Sequence, residues 1–214
     1  MKKNTEALLP ETFYHIYNRG INGEQIFKKE KNYAYFLQQY AKYIEPIATT
    51  YAYVLMGNHF HFLIKTKTET ESRANVKKTQ KTPFVVGDKP EKTIEFINSN
   101  QFAKCFNSYV QSINIQEKRT GSLFEDQFRR IPLEYNDYIL YMFYYIHFNP
   151  QKHGFVTDFR TYSHSSYQSF LSNAPTRLPR EEVFLWFGGK EGFIKYHEES
   201  HNFEEKWGDT DWIE

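Results

Sequence analysis

Three observations on this 214-residue chain predict an α+β fold. Period-two and period-3.6 apolar patterns follow one another as strand, helix, strand, strand, helix, strand, helix. A short turn, Met56-Gly57-Asn58, joins the middle two strands as a hairpin. An aromatic-rich helix and a tail follow the fourth strand. This is the split βαβ order of ferredoxin-like and RRM-like folds: an antiparallel sheet with helices on one face, extended by a tyrosine-bearing helix and a C-terminal helical tail.

The first strand runs from Thr12 to Asn18 and closes at the turn formers Arg19-Gly20-Ile21-Asn22-Gly23. From about Lys29 to Ile44, Tyr33, Phe36, Leu37, Tyr40 and Ile44 recur at helical spacing, and Pro46 stops the run. Strands are expected at about Ala48 to Leu55 and His59 to Lys65. Residues from about 67 to 92 are rich in Lys, Thr and Glu and include Pro83, Gly87 and Pro90, the composition of a mobile insertion with little core. A helix follows from Thr93 or Ile94 to Glu117, with Phe96, Phe102, Phe106, Tyr109, Val110 and Ile113 on its apolar side. The fourth strand is expected near Phe128 to Leu133. The next helix starts at an Asn136 cap with Asp137 in its first turn, and is expected to end before Pro150. A helical tail is expected from Arg180 to Trp207.

The hydrophobic fraction of 40% and aromatic fraction of 19% belong to a folded chain. A formal charge of +1 excludes a general polycation, so any nucleic-acid surface must be local. The single Cys105 excludes an internal disulfide and a cysteine-based zinc ribbon. Three apolar residues before Pro10 are too few for a signal peptide, and no apolar run has the length of a membrane span. The expectation is a soluble, cytoplasmic protein without a membrane partner.

Chemistry concentrates in two segments. In the strand His59-Phe60-His61, residues i and i+2 share a face, so two imidazoles stand side by side while Phe60 points away. From spacing alone, a metal-ligand pair and a packed strand both remain open. Without cysteine nearby, Mg²⁺ or Mn²⁺ on a substrate phosphate is as compatible with the pair as zinc. In the later helix, at about 100° per residue, Tyr138, Tyr141, Tyr145 and Asn149 form a stripe beside the apolar Ile139, Met142, Phe143 and Ile146. Such phenols serve a partly buried core more often than they serve as nucleophiles. His147 points almost opposite to Tyr145, which favours packing for it.

Together these residues resemble the single-tyrosine HUH transposases, in particular the REP-associated tyrosine transposase branch. Asn58-His59-Phe60-His61-Phe62-Leu63 and Tyr145-Ile146-His147-Phe148-Asn149-Pro150 carry the resemblance. Phe13 to Gly20, Gly121 to Glu125, Asn149 to Gly154 and Ser165-Ser166-Tyr167 support it. It implies an HUH transposase-like catalytic domain over residues 1–172 and a C-terminal extension over 173–214.

The resemblance implies that His59 and His61 are metal ligands, that Tyr145 is the nucleophile, and that Asn149 stands where relatives carry a polar third ligand. Asn149 is a short donor, and the residue before a proline is biased away from helical geometry. The implied activity is a single-stranded DNA endonuclease and strand transferase, dependent on Mg²⁺ or Mn²⁺ and working through a 5′-phosphotyrosine. Its DNA partner would form a hairpin, and the protein would act as a monomer or homodimer. Arg129, Arg130, Lys152 and Arg19 flank the site as candidate DNA contacts, although scattered cations usually just solvate a surface. The alternative is a catalytically silent, RRM-like single-strand-binding protein. A zinc hydrolase ranks lower, because no acidic general base lies near the histidine pair in sequence.

Overall fold

A computed structural model describes residues 6–79, 92–125, 127–134 and 136–199. Four strands, β1 (Phe13–Arg19), β2 (Ala48–Met56), β3 (His59–Thr66) and β4 (Arg129–Leu133), form one sheet in the order β2-β3-β1-β4. Every neighbouring pair is antiparallel. The α-helices of the described residues are α1 (Glu30–Ile44), α2 (Glu69–Thr79), α3 (Ile94–Gln116), α4 (Asn136–Lys152), α5 (Tyr167–Leu171), α6 (Arg180–Trp186) and α7 (Lys190–Glu198). None is long and apolar enough to cross a membrane.

The two sheet faces divide core from chemistry. Strand alternation sends Tyr14, Ile16, Phe60, Phe62 and Ile64 to one side, where they join Phe36 and Tyr40 of α1 and Phe102, Phe106 and Tyr109 of α3 in a single apolar cluster. Phe36 meets Phe60 and Phe62 at ring-centroid distances of 5.2 and 6.2 Å. Cys105 is buried in this cluster, and burial pushes its thiol pKa up, leaving it an inert apolar filler. Helix α4 packs on β2 and β3 from the opposite side.

The hairpin turn depends on a close approach. The Gly57 carbonyl accepts from both Ile26 and Phe27 N–H, at 2.8 and 2.9 Å. A Cβ at this position would lie 2.1 Å from the Gln25 side-chain oxygen. The free edge of β2 is partly covered by the segment before α5, where Leu55 N–H donates to His164 and Ser166 N–H donates to Tyr53. His164 also stacks flat on Tyr33, with ring centroids 3.5 Å apart.

Two elements differ from the sequence expectation. The segment expected as an insertion with little core forms α2 over 69–79; its remaining residues 80–91 lie outside the described residues. Thr68 and Glu71 make a reciprocal capping box at its start. Acidic residues in its first turn and Lys77 and Lys78 in its last complement the helix dipole, and Val76 reaches the core. Composition concealed a capped helix.

The second difference is at Pro150, where α4 continues to Lys152 and keeps Asn149 helical. Proline in a helix interior costs about 3 kcal/mol, but Ile146, His147, Asn149 and Pro150 are all buried, and their packing offsets that cost. The helix then ends in a Schellman motif. Phe155 N–H donates to Pro150 C=O at 2.8 Å and Gly154 N–H to Gln151 C=O at 3.0 Å, with Gly154 at φ +70°. Nothing lies within 4 Å of a Cβ added at Gly154. Gly154→Ala is therefore expected to cost only the left-handed backbone strain, about 1–2 kcal/mol, measured by urea unfolding; an unchanged midpoint would contradict this.

The chain divides between Pro179 and Arg180 into two compact units. Within the second, Phe193 of α7 is buried against the rings of Phe184 and Phe187. The expected tail beyond Glu199, including Trp207, lies outside the described residues.

Candidate functional site

The α4 face of the sheet carries the histidine pair. His59 and His61 stand on β3, with Arg19 and Tyr17 of β1 directly opposite them in register. Their rings lie edge to face, 5.3 Å apart at 87°. Helix α4 lays Tyr145 on the same side, its ring 5.7 Å from His61 at 90° and 5.8 Å from His15 at 82°. Residues 84 positions apart in sequence are thus brought into contact by one helix crossing one strand.

Each histidine has a partner on Nδ1. His59 Nδ1–H can donate to the Asn58 side-chain oxygen at 2.7 Å, the tautomer in which Nε2 carries no proton. His61 Nδ1 lies 2.9 Å from His15 Nε2. Burial holds the His61 pKa well below the ordinary imidazole value, and His15, His59, His153 and Lys152 push it further down. His15 is lowered to about 3 by burial alone. Both rings are therefore neutral near pH 7, the form that ligates a metal.

Asn149 lies one helical turn beyond Tyr145 and is completely buried. Its Oδ1 and Nδ2 both lack a hydrogen-bond partner. A buried polar atom left unpaired costs about 1–3 kcal/mol, so the fold carries this amide at a cost in stability. Among the described residues, no group of three His, Cys, Asp or Glu side chains is placed to hold a metal. Neutral imidazole nitrogens and an amide oxygen are donor types that suit a borderline-to-hard divalent ion.

The rest of α4 sorts by face. Tyr138, Tyr141, Tyr145 and Tyr17 lie close enough to interact electrostatically, and the Tyr138 phenol pKa is raised chiefly by burial. His147 points away from this group, fully buried, with Nε2 2.7 Å from Ser166 Oγ and its ring against Tyr167 and Phe170. That is a packing environment. The Lys152 ammonium sits 5.8 Å from the centre of the Tyr145 ring, bringing positive charge to the site.

The candidate arginines separate by strand alternation. Arg129 is opposite Tyr17 on the histidine face, and its charge is felt at the Tyr17 phenol. Arg130 is opposite Ile16, so it points to the α1/α3 face. There it covers the Phe128 ring at 4.4 Å and donates to Ser99 Oγ at 2.7 Å. The expectation that Arg130 flanks the site is corrected: adjacent strand residues cannot share a face. Arg19 lies at the His59 end of β1, paired with Glu125 at 2.6 Å on the exposed surface. Under the DNA-contact role that the family resemblance implies, Arg129→Gln is expected to weaken single-strand binding and reduce its salt slope by about 0.7, one phosphate contact. Arg130→Gln should leave that slope unchanged and lower thermal stability instead. Salt titrations of binding and melting curves distinguish the two; equal slopes would contradict the face assignment.

Two residues enter the site that spacing did not single out. His15 was visible only as one more residue of β1, because its partner is two strand positions off its own register. His153 follows Asn149 by four residues and places its ring 5.0 Å from His59 at 79°; that helical spacing was a usable signal.

No protein-family model matches this chain, and no curated protein matches it. A solved bacterial tRNA(His) guanylyltransferase-like protein in complex with GTP is 12% identical, covers 70% of this chain and 67% of its own, and superimposes with a TM-score of 0.41, too low to carry an argument. A REP-associated tyrosine transposase bound to a REP hairpin is 14% identical and superimposes with a TM-score of 0.59 over 82% of this chain and 89% of that one. At that identity the likeness speaks for fold alone: this chain has an α+β fold that resembles the REP-associated tyrosine transposase.

Proposed function

We propose that this protein is a metal-dependent single-stranded DNA endonuclease and strand transferase of the single-tyrosine HUH kind, acting in DNA transposition or in processing of REP-like hairpins. The observation that carries this reading is the meeting of the Tyr145 ring with the His61 ring, with the unpaired, buried Asn149 amide one turn further along the same helix. A packed strand would supply the two histidines; it does not account for a phenol in contact with His61, or for a buried amide without a partner on the same helix.

In this reading His59, His61 and Asn149 would hold a Mg²⁺ or Mn²⁺ ion, which would supply charge stabilisation at the scissile phosphate. The Tyr145 oxygen attacks phosphorus in line with the 3′-oxygen. The phenol loses its proton, the O3′–P bond breaks, and the 3′-oxygen takes up a proton to leave a free hydroxyl. The phosphotyrosine ester retains the bond energy, so an incoming 3′-hydroxyl can attack it and release Tyr145 without a nucleotide cofactor. Lys152, Arg129 and Arg19 would track the DNA backbone on this face. The catalytic domain would be residues 1–172, with 173–214 as an extension.

The test uses single-stranded hairpins flanked by randomised tetranucleotides, incubated with the full chain and Mn²⁺. A protein–DNA band that survives denaturation and disappears with a chelator is expected. Binding across the whole pool with no such band would sink the enzyme reading and favour the silent binding protein.

A further inference from the structure

His15 is a buried titratable residue to which the chemistry above gives no task. It is fully buried on β1, beside His61, with the two rings 5.1 Å apart and within 14° of parallel. Tyr17 stacks on both, at 4.9 Å from His15 and 5.6 Å from His61. His15 Nε2 is 2.9 Å from His61 Nδ1, and His15 Nδ1 has no hydrogen-bond partner.

A bond between two neutral imidazole nitrogens contains one proton, so one ring donates and the other accepts. If His15 donates, the His61 proton lies on Nε2 and that nitrogen has no lone pair to offer. If His61 donates from Nδ1, its Nε2 is bare, and His15 must carry its own proton on the unpartnered Nδ1. Ligation by His61 Nε2 is compatible only with the second arrangement. The cost of the orphaned His15 Nδ1–H is then the counterpart of a ligating His61. The same device operates at His59, where the Asn58 oxygen takes the Nδ1–H.

We infer that His15 is a positioning residue: its Nε2 accepts the His61 Nδ1–H and fixes the tautomer and ring plane in which His61 Nε2 is open to a divalent cation. The inference rests on the metal site proposed above. A purely packing role would require only a flat ring, which phenylalanine also supplies. Glutamine, by contrast, lacks the ring but can place an amide oxygen near the position of His15 Nε2.

The experiment measures Mn²⁺ affinity of the full chain by calorimetry, for wild type, H15F and H15Q, each shown to be folded by circular dichroism. Loss of an outer-shell partner typically weakens metal binding about 10–100-fold, and that loss is expected for H15F, while H15Q binds as wild type does. Imidazole ¹⁵N shifts of the wild-type Zn²⁺ complex should show His61 protonated at Nδ1 and His15 bare at Nε2. H15F binding Mn²⁺ as tightly as wild type, or H15Q falling as far as H15F, overturns the inference and leaves the metal site standing. The reverse protonation in the ¹⁵N spectrum overturns it even if H15F fails to fold. A wild type that takes up no Mn²⁺ removes the metal site itself, and this inference with it.

Discussion

Tyr145→Phe is expected to abolish the covalent protein–DNA adduct and to lower strand cleavage to background, on the order of 10⁴-fold or more, as for loss of an enzyme's nucleophile. The substitution removes one oxygen and keeps the ring that packs against His61 and His15. The fold and the Mn²⁺ affinity should therefore be unchanged, which separates lost chemistry from lost structure. Tyr141 lies one turn earlier on α4, with its ring 6.2 Å from that of Tyr145. Mapping the adduct by mass spectrometry distinguishes the two phenols. An adduct of normal yield in the Tyr145→Phe protein would sink the nucleophile assignment.

Asn149→Leu is expected to stabilise the metal-free protein while destroying the site. Asn149 is fully buried, and neither amide atom has a hydrogen-bond partner. Leucine has the same number of side-chain heavy atoms and the same branching, no polar atoms and a better helix propensity, so it removes the desolvation cost of the amide. The gain should be about 1–3 kcal/mol. For a protein of this size each kcal/mol corresponds to roughly 2–4 °C in the melting temperature. The same variant should lose most of its Mn²⁺ affinity and its adduct. Stability and function moving in opposite directions is the signature of a polar group kept for a ligand. A less stable Asn149→Leu protein would mean that the amide is satisfied within the fold, and the third-ligand role would fall.

Much of the fold was legible because its elements have strong periods. Tyr33 to Ile44 and Ile94 to Ile113 mark α1 and α3 by spacing alone, and the Thr93 cap appears where a threonine precedes the apolar run. The hairpin at Gly57-Asn58 was equally plain. Helix α2 was obscured because its mean composition is that of a solvated loop, although the Thr68-x-x-Glu71 capping box was present. The end of α4 is not legible in the sequence because the local penalty at Pro150 is offset by burial that only the packed fold supplies.

Of the site, sequence determined the chemical types and their local faces: two imidazoles on one side of β3, and a phenol and an amide on one stripe of α4. These follow from the periods of strand and helix, which are properties of the backbone. Sequence could not determine which face of the sheet α4 covers, and hence that Tyr145 meets His61. Nor could it show that Arg129 and Arg130 part company, that Asn149 is buried without a partner, or that His15 stands behind His61. Those depend on strand order, on register and on which surfaces are withdrawn from water. All three are set by packing between residues distant in the chain, so only the tertiary structure decided them.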